Sequence, residues 1–144
     1  MAYAERKIMI LAPNEVAWLA LNIAKLPTEQ ALIATAICQA ESGNSTDAIN
    51  NRFPPNWDLG LWQISSKWNW DKLIVHRWWD PYDNARMMRK IYDDFLRRPE
   101  ADGFKAWTVY NSTAYLDYIP AAELGMAHPW QPINPHTTAW RIGA

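Results

Sequence analysis

The sequence predicts a mainly α protein, a helical domain with a short loop or small β hairpin. Three observations predict it. Apolar residues recur at helical spacing in several stretches. No stretch sustains the alternation of a half-buried strand. One long interruption, residues 44–58, is polar and rich in Asn and Pro, the composition of a loop with room for a hairpin. The chain has 144 residues. A chain of that size can bury about 70% of its extended surface and needs no staples to hold a core. The expected organisation is a single domain over 1–144, with 1–13 as a leader segment and 126–144 as a Pro-rich extended tail.

Each element has a local reason. Asn14 is positioned to cap a helix over 15–25, where Val16, Leu19, Ala20 and Ile23 share a face. Lys25-Leu26-Pro27 ends it. Thr28 is the expected cap of a second helix, with Glu29 in its first turn. Leu32, Ile33, Ala36, Ile37 and Ala40 form its apolar stripe, and Gly43 is the expected stop. Residues 59–66 are too short a stretch to assign. Asp80-Pro81 opens a helix that runs to about Arg98. Ala85, Met88, Ile91, Tyr92 and Phe95 form its buried face, and Asp93–Arg97 and Asp94–Arg98 are the expected outer pairs. Residues 104–110 read as a short helix, and 113–124 as another, kinked or restarted at Pro120. After Gly125 come Pro129, Pro132 and Pro135.

Several function classes are excluded. Fourteen basic residues face fifteen acidic ones, and no basic run exceeds two, so no nucleic-acid surface built on bulk charge is expected. Cys38 is the one cysteine, which excludes an intramolecular disulfide framework and a Cys-rich zinc site. His76, His128 and His136 are scattered without ligand spacing, so neither a metal nor a cofactor is expected. No apolar run approaches a membrane span. Ile8 to Ala12 is too short for the core of a signal peptide, and no export signal is visible.

Ten tryptophans are unusual in 144 residues. Some must fill the core, and ten is more than a small core readily absorbs, so a groove lined by indoles is the other reading.

The chemistry centres on Glu41. It falls in the last turn of an apolar-faced helix, where the carbonyl ends carry partial negative charge. That charge and partial burial behind Ala36, Ile37 and Ala40 both favour the protonated acid, which is what a general acid needs. A solvated glutamate at a frayed helix end is the alternative. Asp58 follows 17 residues on, across the polar loop. A loop of that length can return a second carboxylate across a cleft. One acid in apolar surroundings and one in polar surroundings divide the roles needed at a glycosidic bond. Gly60 permits close backbone approach, and Gln63 carries donors and an acceptor.

Glu41-Ser42-Gly43, then Gly60-Leu61-Trp62-Gln63-Ile64, then Tyr110-Asn111 resembles the three-motif signature of lytic transglycosylases and goose-type lysozymes. The stretch Asp58-x-Gly60-x-x-Gln63-Ile64-x-Ser66-x-Trp68 is also similar to c-type lysozymes, including the spacing from Glu41. The likeness covers about residues 30–118, and in overall pattern it is nearest the lysozyme-like domains of bacteriophages and actinobacteria. It implies a lysozyme-like fold with a loop or hairpin lining a substrate cleft. Glu41 would be the catalytic acid, with Asp58 the second carboxylate. Ser42, Gly60, Trp62, Gln63, Trp68, Tyr110 and Asn111 would bind substrate. By the resemblance, Tyr110 would hydrogen-bond near Glu41, and Asn111 would orient a loop or an acetamido group. Trp62 and Trp68 have two readings, stacking on a pyranose face or packing in the core. Trp18, Trp78, Trp79 and Trp107 read as packing, and Cys38 as buried and inert.

The resemblance implies a hydrolase of the β-1,4 bond between N-acetylmuramic acid and N-acetylglucosamine, its partner being bacterial peptidoglycan strands. Lytic transglycosylases usually carry serine where Asp58 stands, which favours hydrolysis over the transglycosylase alternative. A non-catalytic glycan-binding or virion structural module is the third reading. A wall substrate without an export signal leads to the expectation of a protein made in the host cytoplasm for phage lysis, released by a holin or carried on the virion. A piece of a longer protein is the other resolution.

Overall fold

The structure, a computed structural model, describes residues 9–130. Helix α1 (Pro13–Trp18) continues into a widened π turn (Leu19–Ile23), and α2 spans Thr28–Ser42. Three short strands follow: β1 (Ile49–Phe53), β2 (Asn56–Leu59) and β3 (Ile64–Ser65). They form one antiparallel sheet in the order β1-β2-β3. Then come α3 (Trp70–Leu73), α4 (Pro81–Leu96), α5 (Thr108–Asn111), a 3₁₀ turn (Ala114–Tyr118) and α6 (Ile119–Ala127). The class is the one expected, mainly helical with a small sheet. The polar loop and the unassigned stretch after it together supply the three strands.

The chain start corrects two expectations. Residues 9–12 are more than a leader: Leu11 is buried, its N–H donates to the Asn44 carbonyl at 2.9 Å, and the Thr46 N–H donates to the Met9 carbonyl at 2.9 Å. Residues 1–8 of the expected leader lie outside the described residues. Helix α1 begins at Pro13 with Ala12 in the cap position, so the expected Asn14 cap is not formed, and Glu15 Oε1 reaches back to accept the Ala12 N–H at 2.9 Å. The far end of this segment is held by Arg89, whose Nη1 donates to the carbonyls of Ala24 (2.7 Å) and Lys25 (2.8 Å). That satisfies helix-end acceptors and ties α1 to α4.

Helix α2 is the axis of the core. Thr28 is its first helical residue, with Pro27 in the cap position, so the expected Thr28 cap is not formed. Burial runs all round it: Ala31, Ala34, Thr35, Ala36, Ile37 and Cys38 are all buried, whereas Leu32, Ile33 and Ala40 of the expected stripe are only partly so. Small side chains at 31, 34, 36 and 38 let neighbours approach from several directions. Gly43 ends the helix in the left-handed conformation (φ 62°), its N–H on the Gln39 carbonyl at 2.9 Å.

Trp62 joins the sheet to the helices. It is fully buried, and its indole N–H donates to the Ala34 carbonyl of α2 at 2.9 Å. Its backbone N–H donates to Asn84 Oδ1 of α4 at 3.0 Å, and its carbonyl accepts the Trp107 indole N–H at 2.8 Å. Asn84 Nδ2 in turn donates to the carbonyls of Leu59 (3.1 Å) and Trp78 (2.8 Å). Gly60 makes room for this. Its φ is 75°, and a Cβ there would lie 2.3 Å from Asn84 Nδ2 and 2.7 Å from the Trp78 carbonyl oxygen.

Helix α4 opens as expected, with the Asp80 side chain accepting the Tyr82 N–H at 2.9 Å and Pro81 first in the helix. Its outer pairs differ from expectation. Arg89 pairs with Asp93 (2.9 Å), and Asp94 is shared by Arg97 and Lys72. The helix stops at Leu96, so Arg98 lies past it and turns onto the Phe95 ring. The expected helix over 104–110 is confined to α5. The restart at Pro120 is as expected, but α6 runs on through Gly125 to Ala127, where an extended tail was expected from 126. A Cβ at Gly125 would lie 2.7 Å from the Pro13 carbonyl carbon, so this glycine serves helix packing against α1 and does not stop the helix. Trp130 packs edge-on to Trp18 at 5.7 Å. Residues 131–144 of the expected tail, with His136, lie outside the described residues.

Gly60→Ala is expected to destabilise the fold by about 3 kcal/mol, through a left-handed backbone and a clash with Asn84 and the Trp78 carbonyl. Urea denaturation followed by tryptophan fluorescence checks it. A midpoint equal to the parent's would show that the junction tolerates a methyl group.

Candidate active site

A cleft of about 440 Å³ collects residues from five parts of the chain: the end of α2, the sheet, the turn after β3, α4 with the residues just past it, and the segment leading into α5. Its size is in the usual range of ligand sites, about 300–1,000 Å³. The floor is continuous with the core, since Ile64, Ile91 and Trp107 line the cleft and are 1%, 5% and 4% exposed. A floor drawn from a close-packed core is rigid, and that fixes the groups standing around it.

Both candidate carboxylates line this cleft. Glu41 comes from the last turn of α2, which the left-handed turn at Gly43 ends just beyond it. Asp58 comes from β2, where it pairs in register with Asn50 on β1 and Ser65 on β3. Directly opposed residues on neighbouring strands share a face, and Asn50, Asp58 and Ser65 all line the cleft. The result is a polar row across three strands, the kind of setting expected for the second carboxylate. Gln63 also lines the cleft, in the left-handed conformation with φ 49°. Its Nε2 donates to the carbonyls of Gly60 (3.0 Å) and Ala48 (3.2 Å), which leaves Oε1 as its acceptor for a ligand.

Trp68 lines the cleft and is 74% exposed, an indole face open to a ligand with Lys67 Nζ 4.8 Å from the ring centroid. Trp62 does not share that role. It is 0% exposed and spends its N–H on Ala34, so the stacking expectation for Trp62 is corrected in favour of the core. The aromatic cluster around the second motif is thus divided between core and surface. Trp107 is in the core as expected and also floors the cleft.

Other expected binding residues are placed beside the cleft instead of in its lining. Gly60 is buried beneath Asn84, and its contribution is the turn that lets Asp58 and Gln63 flank the same space. Ser42 Oγ donates back to the Cys38 carbonyl at 3.1 Å. The Tyr110 hydroxyl donates to Asp102 Oδ2 at 2.9 Å. Burial, and then that bond, push the Tyr110 pKa up to about 12. Asn111 Nδ2 donates to the Lys105 carbonyl at 2.8 Å, and so acts in the first of its two expected roles, orienting a loop. That loop carries Lys105, Ala106, Trp107 and Thr108 into the cleft lining. Cys38 is buried as expected, and burial, with the nearby Glu41 carboxylate, raises its thiol pKa against a lowering bond from Ser42.

Sequence reasoning missed Asn50, Ser65, Arg98 and Lys105. The first two required the strand register, which no local pattern encodes. Arg98 reads as an outer-face residue only on a helix that runs to it, and α4 stops two residues short, at Leu96.

The fold and the cleft together define a mainly helical domain with a small sheet and an acid-bearing cleft. The family model described as "Lysozyme like domain" matches residues 20–109. That is more than half of the chain, and the chain belongs to this family. Membership implies an enzyme that cleaves the glycan of peptidoglycan. The match spans Glu41, Asp58, Gln63 and Trp68 and ends just short of Tyr110. No curated protein and no solved structure matches the chain, so no named relative places it nearer the bacteriophage or the actinobacterial domains.

Two outcomes are expected from these placements. Trp68→Ala raises KM on glycan about three- to tenfold, the range for losing one stacked ring, and leaves the denaturation midpoint unchanged. A shifted midpoint with unchanged KM would assign Trp68 to packing. For Tyr110, the folded chain holds its proton to about pH 12, whereas the unfolded chain releases it near its ordinary value of about 10. This contribution to stability is full below about pH 10 and falls as pH rises toward 12. Urea midpoints measured across that window are expected to fall less steeply in Tyr110→Phe than in the parent.

Proposed function

We propose that the protein is a peptidoglycan muramidase. It hydrolyses the β-1,4 bond between N-acetylmuramic acid and N-acetylglucosamine, with Glu41 as general acid and Asp58 as the second carboxylate. The observation that carries the proposal is the meeting of these two acids, from α2 and β2, in one cleft of about 440 Å³. In the reaction, Glu41 gives its proton to the glycosidic oxygen as the C–O bond breaks. Asp58 faces the positive charge that develops on the sugar ring, either bonding to the anomeric carbon or drawing a proton from the attacking water. Water supplies the hydroxyl of the new reducing end. Glu41 suits the first role because the last turn of a helix favours the protonated form of an acid. Asp58 suits the second because Asn50 and Ser65 surround it with polar groups. The open face of Trp68 supports a sugar ring, and the Gln63 carbonyl oxygen can accept from a hydroxyl or an acetamido N–H.

The aspartate at position 58 is what favours water as the attacking group over the sugar's own C6 hydroxyl. The test is product analysis by mass spectrometry on purified peptidoglycan. The parent is expected to release reducing ends. Glu41→Gln is expected to lower kcat by about 10²–10⁴, and Asp58→Asn to be similarly impaired. Release of 1,6-anhydro-muramic ends, with Asp58→Asn near full activity, would replace the hydrolase with a lytic transglycosylase. Equal turnover by Glu41→Gln and parent would remove Glu41 from the chemistry.

A further inference from the structure

The lining of the cleft contains two cations that the cleavage chemistry does not use, Arg98 and Lys105. They come from the segment beyond α4, a different part of the chain from α2 and β2, which bring the two acids. Their surroundings differ from those of the arginines on α4 and just past its end. Arg86 pairs with Asp83, Arg89 with Asp93 and Arg97 with Asp94. Arg98 and Lys105 pair with no carboxylate among the described residues. Arg98 is nevertheless held in place, its guanidinium carbon 3.6 Å from the centroid of the Phe95 ring, which itself lines the cleft. A guanidinium stacked on an aromatic face keeps its edge N–H groups available for a planar anion. Lys105 is positioned through its own backbone, whose carbonyl accepts from Asn111 Nδ2 at 2.8 Å.

We propose that Arg98 and Lys105 form a carboxylate-binding end of the cleft, which makes the site prefer a glycan bearing acidic substituents over a neutral one. The inference rests on the glycan-cleaving reading and gives that site its specificity. A neutral chain of N-acetylglucosamine offers hydroxyls and acetamido groups alone. Peptidoglycan adds carboxylates from two sources, the lactyl ether of muramic acid and the attached stem peptide. Either could meet a cation standing in the cleft lining.

The experiment measures binding, so that it does not depend on turnover. Glu41→Gln protein is titrated with three glycans of equal length, using the quenching of tryptophan fluorescence from Trp68 and Trp107. The glycans are a chitooligosaccharide, an amidase-stripped peptidoglycan oligomer bearing lactyl carboxylates, and the same oligomer with stem peptides. The same titrations are run with Arg98→Gln and Lys105→Gln added together. The acidic oligomers are expected to bind about tenfold more tightly than the neutral one, the value of one charge-assisted contact of about 1.4 kcal/mol. The added substitutions are expected to abolish that preference while leaving chitooligosaccharide affinity unchanged. Raising salt from 50 to 500 mM should shrink the preference in the parent background alone. Preference for the stripped oligomer assigns the lactyl group, and preference only for the intact one assigns the stem peptide. Equal affinities for all three glycans, an unaltered preference in the substituted protein, or equal losses on all three would overturn the proposal. Cleavage is scored separately with the unsubstituted protein. An inactive protein that keeps the preference sinks the enzyme reading and spares this one.

Discussion

The placement of the site depends on the hydrogen-bonded junction of Trp62 with Asn84. A buried indole and a buried carboxamide are costly unless every polar atom finds a partner. Here the Trp62 side chain reaches α2, its backbone reaches α4 through Asn84, and its carbonyl receives the indole of Trp107. Asn84 spends its remaining donors on Leu59 and Trp78. Five segments separated in sequence are thereby tied to one point. Each lost bond would leave a buried partner unpaired, at about 1–3 kcal/mol. The arrangement therefore resists small displacements more strongly than apolar packing alone would.

The consequence for the cleft is geometric. Residue 62 lies four positions beyond Asp58 and one before Gln63, so fixing Trp62 fixes the turn that presents both. Trp107 is held by the same junction, and its neighbours Lys105, Ala106 and Thr108 complete the other part of the lining. Glu41 belongs to the helix that Trp62 grips at Ala34. A three-stranded sheet with a two-residue strand is marginal by itself. Its attachment through Trp62 and Asn84 gives Asp58 a stable position.

Much of this was legible in the chain because it is written locally. The cap at Asp80-Pro81, the stop at Gly43 and the restart at Pro120 are short-range chemistry, and each is found where the residues indicate. Glu41 and Asp58 were legible as a pair through their motifs and spacing. The sheet register was not, since pairing of Asp58 with Asn50 and Ser65 is a long-range choice made by the whole fold. Helix ends were read imperfectly for a similar reason. Helix α1 starts ahead of the cap that Asn14 offers, and Arg98 lies past the end of α4 on the Phe95 ring. In both cases the local preference is worth about 1 kcal/mol, and tertiary packing outweighs it.

The tryptophans show how that decision works. Trp62 and Trp68 stand six residues apart in one motif and present the same chemistry to any reading of the sequence. The fold separates them by what is available to the indole N–H. Trp62 meets a helix whose alanines leave the Ala34 carbonyl within reach at 2.9 Å, so the whole ring can be buried with its polar atom satisfied. Trp68 follows the two-residue strand β3 and keeps 74% of its surface in solvent. An indole left in that position beside a polar cleft retains both an apolar face and a hydrogen-bond donor for a ligand. The small residues of α2 thus do more than pack the core. By admitting one tryptophan and leaving the next outside, they divide the motif into a structural half and a half that lines the cleft.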